Sequence, residues 1–222
     1  DNPDGSLHFS EDEVQAVMDV FAQVCHLHGS DATLDAVKNE MQKAHVLHFS
    51  THGNAGWQKE EQAQLKLAGD GYLTLPEIFS LHLDQVRLAV LSACETGVPS
   101  LKLIDEMFGL PAGMMQAGVP GVVGSLWAVS DMSTAMLMAR FYDLWRKSGC
   151  VPQEALRQAQ IWLRDSTTAE KKKFFTHFEK SQKIRMSAGA ARAFYSHIGW
   201  DAPDARVFES PYYWAAFTYT GI

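Results

Sequence analysis

Three apolar runs of strand length, HVLHFST (45–51), VRLAVLSA (86–93) and VPGVVGSLW (119–127), each follow a helix-like segment, and this alternation most constrains the fold. Strands buried on both faces read as near-continuous apolar runs, because helices cover both sides of a parallel sheet. The intervening helices carry their own signals. Leu34, Val37 and Met41 recur at helical spacing ahead of the first run, and Thr74 and Glu77 form a capping box around Pro76 ahead of the second. Gly109-Leu110-Pro111 opens a helix that Gly118 closes ahead of the third. Ser10 and Glu13 make a further capping box, predicting a helix over 11–26 along Val14, Val17, Met18 and Phe21. Ser130 or Asp131 caps a long helix through Met132, Met136, Ala139, Phe141 and Trp145 to Gly149, and Pro152 opens another reaching Arg164. Residues 165–209 break this rhythm with KKKFF and a Gly/Pro/Asp-rich stretch, and read as an insertion with helical parts; YYWAAFTYTG then supplies a final strand. The expected fold class is α/β, with a mostly parallel central sheet flanked by helices on both faces.

A chain of 222 residues, 46% hydrophobic, can bury a full core in one domain. Its formal charge of −7 argues against a nucleic-acid backbone as the main ligand, which needs a concentrated positive face. No apolar run reaches the roughly 18 residues of a membrane span, and DNPDGS is not a signal peptide, so no membrane partner is expected. The three cysteines, Cys25, Cys94 and Cys150, lack close spacing, which indicates neither a disulfide framework nor a Cys-rich zinc site and makes a reducing, cytoplasmic setting the expectation. The chain opens without an initiating Met in loop-like sequence and reads as a piece of something longer.

Two strand runs end on reactive side chains beside glycine, LHFSTHG on His52 and LSACETG on Cys94. In open parallel sheets the functional crevice lies outside the carboxyl ends of the strands. If the two strands are neighbours, their ends stand about 5 Å apart, a separation side chains span. An imidazole there could take the thiol's proton and return it to a leaving amine. Cys94 would then attack as nucleophile with His52 as base, while the backbone N–H groups of Gly53 and Cys94 share the oxyanion; Gly97 would permit the turn after the nucleophile. His48 and His52 on one strand lie about 13 Å apart, unlike a helical zinc pair, so no metal or other cofactor is expected. Cys25 and Cys150, within or beside the expected helices, read as packing or incidental residues and not as nucleophiles. No GxGxxG or Walker pattern follows any strand, which disfavours nucleotide binding.

Taken in order, VLHFSTHG, LAVLSACETG, GVPGVVGSLWAVSD and PYYWAAFTYTG resemble the CHAT domain, a branch of the caspase-like clan of cysteine peptidases. The resemblance runs from Asn2 to Gly221 apart from 165–209. It implies a single caspase-like sandwich over 1–222, short of a strand or two at its N-terminus, with His52 as general base and Cys94 as nucleophile. It also implies a protein substrate and an upstream TPR or ligand-sensing domain that controls activity; a catalytically silent CHAT interaction module is the alternative. Ser92 stands where arginine-specific relatives carry an acid, so their substrate preference does not transfer. In a caspase-like sheet the strand after the nucleophile's ends near the P1 pocket, which places Trp127, Ala128, Val129, Ser130 and Asp131 there. Trp127 and Val129 would form an apolar wall; Asp131 would either pair with a basic P1 or serve as a helix cap. Residues 54–71, Gly-rich and charged, read either as a mobile active-site loop or as an ordinary solvated connection.

Overall fold

A computed structural model of the chain describes residues 1–54, 63–94, 109–128, 130–180 and 198–222, excluding the side chains of Asn54, Cys94 and residues 175–180. Its strands are β1 (Val46–Asn54), β2 (Gln64–Lys66), β3 (Tyr72–Thr74), β4 (Leu88–Cys94), β5 (Gly121–Ser125) and β6 (Phe217–Gly221). Its helices are α1 (Ser10–Met18), α2 (Leu34–Met41), α3 (Leu75–Phe79), α4 (Gly109–Gln116), α5 (Asp131–Tyr142), α6 (Pro152–Asp165), α7 (Thr168–Lys180) and α8 (Pro211–Trp214). The molecule is α/β, and the described strands form one six-stranded sheet in the order β3-β2-β1-β4-β5-β6. Among the described residues, no helix is long and apolar enough to cross a membrane.

The sheet is mixed. Its centre, β1–β4–β5, is parallel, matching the three apolar runs, whereas β1–β2, β2–β3 and β5–β6 are antiparallel. β2 and β3 are joined by only five residues, too few for the crossover a parallel pair needs, so they lie antiparallel. This hairpin occupies part of the stretch expected to be a loop; residues 55–62 of that stretch lie outside the described residues.

The chain divides into two compact units. The first comprises Asp1–Ser6, Cys25–Ala128 and Phe217–Ile222; the second, Leu7–Val24 and Val129–Ala216. In the first, alternate residues of the central strands, Leu47, Ala89, Leu91 and Val122, are buried against Val37 and Met41 of α2, Ile78 of α3 and Met114 of α4. Removing the Leu, Val, Ile and Met side chains among these from water stabilises the unit by about 1.5–3 kcal/mol each. α2 begins at the Thr33 cap, whose hydroxyl accepts from Ala36 N–H at 3.4 Å. The box at α3 also forms, with Glu77 accepting from Thr74 N–H at 2.9 Å. α4 ends as expected at Gly118, with Val119 N–H on Met114 O at 3.0 Å and Gly118 N–H on Met115 O at 3.1 Å. Gly118 has φ +111°, and a Cβ there would meet Asp84 Oδ1 at 2.7 Å. Gly118→Ala is therefore expected to cost about 1–2 kcal/mol; an unchanged urea midpoint would remove the strain argument.

In the second unit, α1 is shorter than the sequence suggests, ending at Met18. Phe21 leaves the helical path to pack edge-on against Tyr142 and Trp145, at 5.9 and 6.1 Å between ring centroids. The Ser10–Glu13 box does not form as expected, because Ser10 is the first helical residue and Phe9 the cap. Phe9 N–H instead donates to Asp131 Oδ2 at 2.8 Å. α5 runs on through a π-helical turn, Asp143–Lys147, and closes at Gly149 with φ +75°. α6 runs from Pro152 to Asp165, its terminal residue one beyond the expected Arg164. The stretch expected as an insertion contains α7, whose first turn is tied down by Thr168 N–H to Ala205 O at 2.8 Å; residues 181–197 lie outside the described residues. Of the expected final strand, YYW forms part of the short α8 and only FTYTG pairs with β5.

Candidate active site

His52 and Cys94 are register partners on the adjacent parallel strands β1 and β4, both at or near the carboxyl end. Partners in a parallel pair lie about 4.8 Å apart and belong to the same face of the sheet. The preceding partners on that face are Ser50 and Ser92, both buried, so the apolar pattern of the strands gives way to polar residues as the site is approached. Apolar packing fixes the register upstream, where Leu47 pairs with Ala89 and Phe49 with Leu91. A one-residue slip would carry these side chains to the wrong face, so core packing and the His52–Cys94 juxtaposition are specified together.

Gly53 follows in β1 and pairs with Leu65 of β2. A Cβ at Gly53 would stand 3.1 Å from Ala93 Cβ and 3.7 Å from Leu65 Cδ2, so the close packing of three strands favours glycine here apart from any chemistry. Ser92 is 4% exposed on β4, and Trp127 is half-buried two residues beyond β5. Val129 and Gly97 lie outside the described residues. Asp131 belongs to the second unit, where its carboxylate accepts from Phe9 N–H; burial pushes its carboxyl up from the usual range.

Two residues that sequence reasoning missed reach His52. Ser6 Oγ lies 2.6 Å from His52 Nε2 and donates to Asp4 Oδ1 at 2.6 Å. Asp4 Oδ1 is itself 3.8 Å from Nε2, and also accepts Ser6 N–H at 3.1 Å. The Ser6 hydroxyl bond holds the Asp4 carboxyl below its usual range, helped by Ser6 N–H and the nearby His52 and Lys66 against a desolvation penalty. The segment is built by a turn, Gly5 N–H donating to Asn2 O at 3.2 Å, and is fastened to β1 by Asn2 N–H on Ser50 O at 2.8 Å. NPDG is a recognisable turn signal, but nothing local says that it would fold back 46 residues along the chain onto His52.

Elsewhere in the first unit, Asp1 Oδ1 lies 2.8 Å from His26 Nε2 and 3.0 Å from His28 Nδ1, a set that could offer three ligand atoms to a metal ion. Cys25 is exposed in the connection between α1 and α2, beyond the helix expected to contain it, and partial burial together with the neighbouring Glu40 raises its thiol pKa. Cys150 is half-buried just after Gly149.

A family model described as the CHAT domain matches residues 2–222 of this chain. No curated protein matches it.

Proposed function

The chain belongs to the CHAT domain family, and from that premise we propose that it is a cysteine endopeptidase with a Cys94–His52 dyad. The observation that carries this reading is the register pairing of His52 with Cys94 at the carboxyl ends of adjacent parallel strands. His52 takes the Cys94 thiol proton; the thiolate attacks the scissile carbonyl, and the oxyanion is held by the N–H groups of Gly53 and Cys94. The imidazolium returns the proton to the leaving amine as the C–N bond breaks. Water, deprotonated by His52, then releases the acyl group from sulfur. The caspase-like sandwich, a protein substrate, control by an upstream TPR or sensor domain and a cytoplasmic setting belong to the same proposal.

The P1 pocket is proposed to draw on Ser92 and Trp127, both in the first unit. Neither side chain carries a charge, which supports an apolar P1 over a basic or an acidic one. In a peptide series differing only at P1, medium-sized apolar residues are expected to be cut fastest and Asp slowest. Fastest cleavage after Asp would refute the pocket.

The reading as a whole is tested by screening the purified protein, alone and with its upstream region, against a peptide library, with products located by mass spectrometry. Thiol alkylation should mark Cys94 before Cys25, whose raised pKa leaves less thiolate. Equal cleavage by the Cys94→Ala protein would overturn the proposal.

A further inference from the structure

The hydrogen count around His52 determines which ring nitrogen is the base. Asp4, as a carboxylate, only accepts, so the single Ser6 hydroxyl proton is committed to Asp4 Oδ1 at 2.6 Å. Ser6 Oγ, 2.6 Å from His52 Nε2, then has only lone pairs left to offer, so Nε2 must carry the proton. The neutral ring then presents its lone pair at Nδ1.

We infer that Asp4 and Ser6 are positioning residues for His52, holding the imidazole as the Nε2–H tautomer so that Nδ1 receives the Cys94 proton. The inference rests on the peptidase reading for its consequence in catalysis, but not for the tautomer. When Nδ1 is protonated, the ring becomes a cation whose Nε2–H still points at Ser6, with the Asp4 charge 3.8 Å from Nε2. The serine thus relays the carboxylate's field to the imidazolium, and a hydroxyl stands between the two groups that would otherwise bond directly. Because all three residues lie in the first unit, and Asn2 ties the segment to Ser50 of β1, the relay moves with the strand that carries the base.

The test combines kinetics with a readout independent of turnover. In the intact chain labelled with ¹⁵N at histidine, with His52→Gln identifying the resonance, neutral His52 should show Nε2–H in the wild type. That preference should weaken in Ser6→Ala and return in Ser6→Thr. Ser6→Ala is expected to lower kcat about tenfold, with KM changed less than about twofold, because the effect falls on proton transfer and not on substrate contact. Asp4→Asn should move the midpoint of Cys94 alkylation to higher pH, since the thiolate–imidazolium pair loses its neighbouring negative charge. A wild-type Nδ1–H tautomer, or an Asp4→Asn alkylation midpoint equal to the wild type's, would overturn the inference. A protein that shows the tautomer and the midpoint shift yet cuts no peptide would sustain the inference while sinking the peptidase reading. A protein that cuts peptides with Ser6→Ala kinetics equal to wild type would do the reverse.

Discussion

Cys94→Ala is expected to abolish peptide cleavage, and His52→Ala to reduce it by at least about a thousandfold, with the fold retained in both. The nucleophile has no substitute on its strand end, because Ser92, the nearest hydroxyl on β4, is 4% exposed and one turn of the pleat back towards the core. The imidazole side chain of His52 is 24% exposed, and its side-chain hydrogen bond goes to a surface serine, so truncating it opens little cavity and orphans no buried donor. Since the two groups act as one proton-transfer unit, the double variant should be no worse than Cys94→Ala alone. Cleavage would be followed by mass spectrometry of products, and folding by near-ultraviolet circular dichroism and the urea midpoint. Additive losses in the double variant would mean that the residues act separately, and retention of native rates by either single variant would remove the dyad.

The parts of this arrangement visible in the sequence are those fixed by local burial. The apolar runs marked β1, β4 and β5 because their side chains are largely buried, most fully in β4 and β5, and the ending of the first two runs on reactive residues singled out His52 and Cys94. The edges were not visible for a corresponding reason. QLK and YLT are three residues each, carry one buried apolar side chain apiece, and owe their pairing to the extension of β1 through the polar HGN. An alternating pattern needs more than three residues to stand out from a loop. Capping was legible where the cap is local, at Thr74. It was missed at α1, where the acceptor for Phe9 N–H comes from Asp131, 122 residues away. The same limit hid the relay on His52: Asp4 and Ser6 form a turn among themselves, and only the tertiary fold puts that turn against β1. Of the two roles weighed for Asp131, the cap on its own helix does not hold, because Ser130 is the N-cap of α5 and the Asp131 carboxylate accepts instead from the N-cap residue of α1.

The second large effect expected is on stability, and it arises from Lys171. This side chain is 0% exposed; its amine donates to the Ser166 carbonyl at the end of α6 and lies 5.7 Å from the Phe208 ring centroid. Burial lowers its pKa to about 8, opposed by the neighbouring Glu170 and Asp165 and reinforced by Arg206. In the unfolded chain the amine titrates near 10.4. Below pH 8 both states carry the proton and the group adds no slope. Between about 8 and 10.4 the unfolded state binds more proton than the folded one, so stability rises with pH across that window, by on the order of 3 kcal/mol for the whole shift. Lys171→Met keeps much of the volume and removes the titration. It should be at least as stable as the wild type at pH 7.5, because replacing a charge buried at a cost by an apolar side chain is neutral or stabilising. The advantage should shrink or reverse by pH 9.5, as the wild type gains what the variant cannot. Urea midpoints at the two pH values measure this as a difference between proteins, in which other titrating thiols and phenols cancel. Parallel pH profiles for wild type and Lys171→Met would show that the amine keeps its ordinary affinity for protons in the folded state, and that burial at this position costs the charge nothing.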